Sequence, residues 1–103
     1  MFVALALLLT QTASPPAVVY LKCETTQGGQ QKSWDLTLNE SAGTVDYYTQ
    51  VSGQQRTQAR FTSNAVYFIG FTLSRVDLTL QRRAFGEIER GTCQVVQPKG
   101  RAF

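Results

Sequence analysis

The carboxylates are the side chains of this 103-residue chain with the clearest capacity for acid–base chemistry. A pair of carboxylates can hydrolyse a glycosidic bond, one as general acid and the other as base or nucleophile. Asp35 and Asp46 are predicted on facing strands of one hairpin, but their apolar neighbours point to the other face. We therefore interpret both as solvated surface groups and predict no catalytic residue. The full set of candidates is Glu24, Asp35, Asp46, Glu87 and Glu89.

The chain contains no histidine, which removes several common catalytic centres. Ser-His and Cys-His pairs, histidine bases and the commonest zinc sites all need an imidazole. Two cysteines alone cannot complete a structural zinc site. Gly28-Gly29 lacks the further glycines and the following helix of a phosphate-binding loop. The sequence therefore predicts no metal, no cofactor and a function other than catalysis.

Cys23 and Cys93 bracket nearly all of the strand-like sequence. In a small exported domain two thiols are usually oxidised, because the compartments outside the cytoplasm lack the systems that keep cysteines reduced. The sequence predicts a disulfide between them, and the Cα atoms of the two cysteines must then lie within about 7 Å of each other. Closing this long loop contributes roughly 4 kcal/mol in the chain-entropy estimate.

An apolar leader precedes both cysteines. Residues 2–9 have the length of a signal-peptide core and are too short to span a bilayer. Small residues follow at 12–14, although no basic residue occurs before Lys22. The alternative is a segment kept in the mature protein, buried or at an assembly interface. We predict a leader and proline breaker over residues 1–16, one domain over 17–97 and a basic tail over 98–103, either frayed or docked through Phe103.

The domain shows a period-two pattern that is typical of β-strands. Trp34, Leu36 and Leu38 share one face of a strand, which predicts a buried Trp34. We expect an all-β fold, a small antiparallel meander barrel or sandwich of six to eight strands, with the first and last strands adjacent. Residues 84–90 are expected to be irregular. The predicted strands are 17–25, 33–38, 44–49, 59–62, 65–71, 75–81 and 91–97. We expect the strand over residues 65–71 to be buried on both faces.

The contact surface is predicted in polar and basic segments. Residues 52–58 are rich in glutamine and are expected to form an exposed loop, and Tyr48 is the aromatic residue expected to be most exposed. The net charge of +3 favours an anionic partner such as nucleic acid, lipopolysaccharide or an acidic protein. Core packing of most aromatic residues argues against nucleic acid. The candidate ligand contacts are Tyr48, Ser52, Gly53, Arg56, Arg82 and Arg83.

Several short segments resemble uncharacterised small exported β proteins of bacteria and their phages. They are residues 34–40, 43–45, 59–62, 73–78 and 91–93. A looser similarity is to the periplasmic inhibitors of C-type lysozyme, small barrels with Tyr-x-Cys in the first strand. Here Tyr20 stands three residues before Cys23, and the Ser-Gly motif of those inhibitors is matched at Ser52-Gly53. The first resemblance implies a fold, and the second implies inhibition of a lysozyme-like enzyme.

Together these features predict a periplasmic or secreted, non-enzymatic β-barrel that binds a partner or has a structural role at the cell envelope. We expect no stable membrane span, and the sequence leaves the oligomeric state open. One alternative is a protein inhibitor of a lysozyme-like wall hydrolase. Another is a phage virion or assembly component that retains its N-terminus.

Overall fold

The computed structural model describes residues 18–97, which form one antiparallel sheet of nine strands. The predicted leader and basic tail lie outside the described residues. The all-β prediction is confirmed, but the structure has more strands than the six to eight expected. The strands are β1 (Val18–Gln27), β2 (Gln30–Asn39), β3 (Thr44–Thr49), β4 (Gly53–Gln58), β5 (Arg60–Phe61), β6 (Ala65–Phe68), β7 (Phe71–Ser74), β8 (Thr79–Ala84) and β9 (Glu87–Val96).

The sheet is a nearly closed, barrel-like meander in which β1 lies between β2 and β9. Its two edges are β4 and β5, which are separated along the chain by Ala59 alone. Followed through β2 and β3, Gln58 aligns with Val18 of β1. Followed through β9, β8, β7 and β6, Arg60 aligns with Thr26 instead. This stagger is the displacement that a rolled sheet requires, and the chain passes from one edge to the other at Ala59. The strands beyond the prediction are β4 and one half of the β6–β7 hairpin.

The disulfide joins the first and last strands, as predicted. Cys23 and Cys93 are direct partners in the β1–β9 register, with Cα atoms 4.0 Å apart. Both half-cystines are buried in the core. The bond therefore fixes the register at the centre of the sheet order and not at an edge.

Two segments form hairpins where the sequence predicts none. Residues 65–71 are not one doubly buried strand, because β6 and β7 are joined by a two-residue turn at Ile69 and Gly70. Tyr67 is correspondingly exposed on the outer face. Residues 84–90, expected to be irregular, contain the turn of the β8–β9 hairpin at Phe85 and Gly86.

Two further boundaries differ from the prediction. Residues 53–58 form β4 and not a loop. As an edge strand, β4 pairs only with β3 and carries polar side chains, so the apolar alternation of a half-buried strand is missing. Residues 75–78 form a turn before β8, which leaves Val76 exposed. The alternating pattern over residues 75–81 therefore covers a turn and the start of a strand, and the pattern alone does not distinguish this arrangement from one continuous strand.

The interior is layered along the barrel. Around the disulfide pack Leu21, Leu36, Leu73 and Leu80, all almost completely buried. Toward one end, Trp34 meets Phe71 edge to face, with ring centroids 5.1 Å apart. Trp34 is thus a core residue, as its strand pattern indicates. Beyond this aromatic layer the interior becomes polar.

Gly91 permits the close approach of β9 to β1. It lies opposite Thr25, and a Cβ atom at this position would stand 2.6 Å from Thr25 Cα and 1.8 Å from the carbonyl oxygen of Glu24. Both neighbours are backbone atoms, so no side chain can move aside. Glycine is therefore required here for space and not for a special backbone conformation.

Candidate functional site: the mouth of the barrel

The polar layer lies at the end of the barrel that we call the mouth. Successive strands run in opposite directions, so their connections alternate between the two ends. One end carries the turns at residues 28–29, 50–52, 69–70 and 85–86. The other end carries the remaining connections and is where β1 begins and β9 ends. Within residues 18–97, the mouth is therefore built from hairpin turns.

Glu89 is the centre of the polar layer and is completely buried. Thr25 Oγ1 donates a hydrogen bond to one carboxylate oxygen at 2.6 Å, and Arg82 Nε donates to the other at 3.1 Å. Thr25 Oγ1 in turn accepts the indole N–H of Trp34 at 3.1 Å. Buried carboxylates need such partners, because an unpaired charge in the interior is strongly unfavourable. The four residues form one satisfied network.

Two cations lie beside Glu89, Arg82 within this network and Lys32 next to it. The Arg82 guanidinium lies 4.4 Å from the ring centre of Phe71 and 5.7 Å from that of Trp34. Lys32 Nζ lies 5.6 Å from the Trp34 ring and 4.0 Å from a Glu89 oxygen. Cation–π contacts of this kind stabilise a charge that has lost part of its water. The layer holds two positive charges and one negative charge, since Lys32 and Arg82 face the single carboxylate of Glu89.

A cavity of about 220 Å³ opens between these cations and the turns of the mouth. We call it the mouth cavity. Its lining includes Lys32, Trp34, Tyr47, Ser52, Ile69 and Arg82. For comparison, an engineered apolar cavity of about 150 Å³ holds one benzene molecule. The mouth cavity is thus large enough for a side chain or a small organic acid.

Apolar side chains project from the turns of the mouth into solvent. Phe85 is 97% exposed, and Val51 is 93% exposed. Phe85 also has a φ of 56°, in the left-handed region that disfavours residues other than glycine, asparagine and aspartate. Because the Phe85 ring is almost fully exposed, no burial of apolar surface offsets the unfavourable backbone conformation. Such local conflicts are found mainly at functional positions.

The structure brings together only some of the predicted contact residues. Ser52 and Arg82 line the mouth cavity, and Gly53 begins β4 beside Ser52. Tyr48 and Arg56 lie on the outer wall, where Tyr48 is 42% exposed and is therefore less exposed than Phe85. Arg83 is also exposed on the outer face and lines a separate shallow groove with Gly70 and Ile88.

Of the candidate carboxylates, Asp35 and Asp46 lie on the outer wall. Lys22 pairs with Asp35 at 3.6 Å, and Arg56 donates two hydrogen bonds to Asp46 at 2.6 and 3.0 Å. These hydrogen bonds outweigh the opposing desolvation and, with a smaller contribution from the charge of Arg56, hold the pKa of Asp46 below its ordinary value. Glu24 and Glu87 are exposed. In residues 18–97, no group of three or more His, Cys, Asp or Glu side chains is placed to hold a metal ion.

Glu89 is the residue whose role the sequence argument missed. Its position was detectable, because Glu89 and Gly91 share the inward face of β9 with Cys93 by the period of two. A disulfide facing the core therefore predicts an inward Glu89. Arg82, one of the predicted contact residues, is the register partner of Glu89 on β8.

The fold and the mouth define a small, disulfide-bonded, barrel-like β protein with a cationic, aromatic cavity at one end. No protein-family model, no curated protein and no solved structure matches this chain significantly. Residues 18–97 contain no helix with the length and apolar character needed to cross a bilayer.

Proposed function

We propose that this protein is a non-enzymatic, exported β-barrel that binds a partner at the cell envelope through its mouth. The disulfide supports export, because such bonds persist outside the reducing cytoplasm. The position of the mouth supports binding. Its turns lie at the end opposite to the start of β1 and the end of β9, so a partner can reach them without meeting either terminus of the described domain.

The observation that carries this proposal is the Phe85 side chain. An almost fully exposed aromatic ring at the tip of a hairpin contributes nothing to the folded domain, and its left-handed backbone disfavours it there. A partner that covers the ring supplies the missing compensation. Aromatic residues, phenylalanine among them, are enriched in protein–protein interfaces relative to the rest of the surface.

Site-specific photo-crosslinking in the native envelope tests the proposal. A photoreactive phenylalanine analogue at position 85 should give a discrete crosslinked species. The matched control is the same analogue at position 76, because Val76 is also well exposed but belongs to the opposite end. Equal crosslinking at both positions, or none at position 85, would contradict binding through the mouth.

Export is tested separately by the mass of the protein purified from its host. A mass that lacks about 13 to 17 N-terminal residues and two protons supports a removed signal peptide and a disulfide. An intact N-terminus on a protein found in virus particles would instead support the assembly component.

A lysozyme inhibitor is the second candidate, and one observation favours it. The Ser52-Gly53 pair that resembles the inhibitors lies in the β3–β4 turn of the mouth, with Ser52 at the cavity. Ser52 Oγ and Thr49 Oγ1 share a hydrogen bond of 3.0 Å, which orders this turn. The test is hydrolysis of bacterial cell walls by C-type lysozyme with and without the protein. Inhibition that is lost with Ser52→Tyr but kept with Ser63→Tyr, in a turn at the opposite end, would favour this candidate.

A further inference from the structure

We propose that the mouth cavity is a carboxylate-binding site in which Lys32 is the principal anion ligand. The inference deepens the proposed function, since it rests on the mouth being the contact surface and names the chemistry that the surface recognises. The ligand class is a singly charged carboxylate on a small apolar body, either an acidic side chain of a partner protein or a free organic acid.

The polar layer carries one more positive charge than Glu89 balances. Glu89 is balanced by Arg82, whose Nε donates to it at 3.1 Å, and Thr25 satisfies the other carboxylate oxygen. Lys32 is therefore not needed to neutralise Glu89. Its ammonium group lies 4.0 Å from Glu89, beyond hydrogen-bond distance, and within residues 18–97 it donates no side-chain hydrogen bond. One positive charge with free donors is left at the cavity.

The surplus charge, on Lys32, is also accessible from the cavity. The Lys32 side chain is 38% exposed, whereas that of Arg82 is 19% exposed and that of Glu89 is completely buried. Lys32 is thus the charged group in this cluster that a ligand can reach most directly. Because Trp34 and Tyr47 line the same cavity, they restrict the water around the ammonium group, which strengthens its attraction for an anion.

The net charge of the polar layer favours a carboxylate over a phosphate. The surplus in the polar layer is a single positive charge, which matches one carboxylate. A phosphate monoester carries nearly two negative charges at neutral pH and would leave one of them unbalanced beside Glu89. The cavity volume of about 220 Å³ accommodates a carboxylate together with an apolar group of benzene size.

The chain provides its own reporter. Trp34 is the single tryptophan of the protein, and its indole N–H donates to Thr25 within the network. One indole resonance in a ¹⁵N-correlated NMR spectrum therefore reports on the cavity. Benzoate serves as the free-acid probe and benzamide as its neutral counterpart. A short capped peptide with a central glutamate, and the same peptide with glutamine, represent the partner side chain.

We expect benzoate or the glutamate peptide to shift the indole resonance saturably, with Kd about 1 mM for so small a ligand, and the neutral counterparts to have no effect. Lys32→Gln should raise Kd about tenfold, and Lys32→Arg should restore binding. Lys22→Gln is the matched control, because it removes the same charge from the outer wall and should leave Kd within about twofold. Tighter binding of the glutamate peptide than of benzoate would identify a protein side chain as the source, and the reverse order would identify a free acid.

The proposal is overturned if neither acid shifts the indole resonance, or if Lys32→Gln and Lys22→Gln weaken binding equally. Failure of the proposed function is distinguishable from this result. If only the carboxylate site is wrong, crosslinking at position 85 still occurs although neither acid binds. If only the proposed function is wrong, benzoate still binds although crosslinking at position 85 is lost.

Discussion

Arg82 and Glu89 face each other in the β8–β9 register and form an ion pair inside the barrel, with Nε 3.1 Å from Oε1. The pair connects the mouth to the core, because the same guanidinium packs on Phe71 while the carboxylate accepts from Thr25 on β1. One carboxylate thereby ties the β8–β9 hairpin to β1, whose Thr25 lies 64 residues earlier in the sequence.

Glu89→Gln should destabilise the domain by about 3 kcal/mol, because it leaves the cations of the polar layer without their counter-charge. The measurement is urea denaturation followed by Trp34 fluorescence. The double variant Glu89→Leu with Arg82→Met should recover part of the loss, since it removes both buried charges. An unchanged urea midpoint for Glu89→Gln would show that the ion pair does not stabilise the fold.

Removing the disulfide should cost about 4 kcal/mol, because the bond closes a loop of 70 residues in the unfolded chain. The variant with Cys23→Ala and Cys93→Ala is compared with the native protein by urea denaturation. Native protein with a reducing agent should approach the variant, which itself should not respond to the agent. Equal stability of the oxidised protein and the variant would contradict the prediction.

Gly91→Ala should destabilise the protein by about 3 kcal/mol, since the added methyl group overlaps the backbone of β1. Gly29→Ala is the comparison. Gly29 has a φ of 81° and open space around it, so alanine there should cost about 1 kcal/mol through conformation alone. Thermal unfolding of both variants separates a steric from a conformational requirement, and an equal loss would argue against the close approach.

Phe85→Asn should raise stability by about 1 kcal/mol, because asparagine tolerates the left-handed conformation and the exposed ring makes little packing contact. Chemical denaturation checks the gain. The same variant should lose the partner crosslinked at the mouth, provided the crosslinker is moved to position 51. A loss of stability would mean that the Phe85 ring packs on the domain and stabilises it, which would contradict a role in partner binding alone.

Acid should weaken the outer wall at the Asp46–Arg56 pair. Because the pKa of Asp46 is lower in the folded protein than in the unfolded chain, its contribution is fully present above the unfolded value of about 3.9 and is lost as the pH falls through the folded value. Asp46→Asn should therefore lower Tm at pH 7 but not at pH 2. A constant difference in Tm at both pH values would show that Asp46 acts through its shape and not its charge.

The local sequence determined much of the fold. Alternation over residues 44–49 matches β3 residue for residue, and the Trp34 strand buries the face that its pattern indicates. The positions of Cys23 and Cys93 near the two ends of the strand-like region correctly predicted adjacent first and last strands. The strand patterns are local because each strand with one wet and one apolar face records its own burial in a period of two, whereas the cysteine pair links the two ends of the domain.

The tertiary structure decided the features that the period-two pattern does not predict. The polar strand β4 forms because β3 offers it a backbone partner, which its own side chains do not reveal. The strand period places Glu89 on the inward face of β9, but the partners that make a buried carboxylate stable, Arg82 and Thr25, come from β8 and β1. The mouth cavity likewise depends on the rolling of the sheet, which brings Lys32 of β2 toward Arg82 of β8. Contacts between strands set these positions, some within one hairpin and some between β1 or β2 and the end of the chain, and no single strand encodes them.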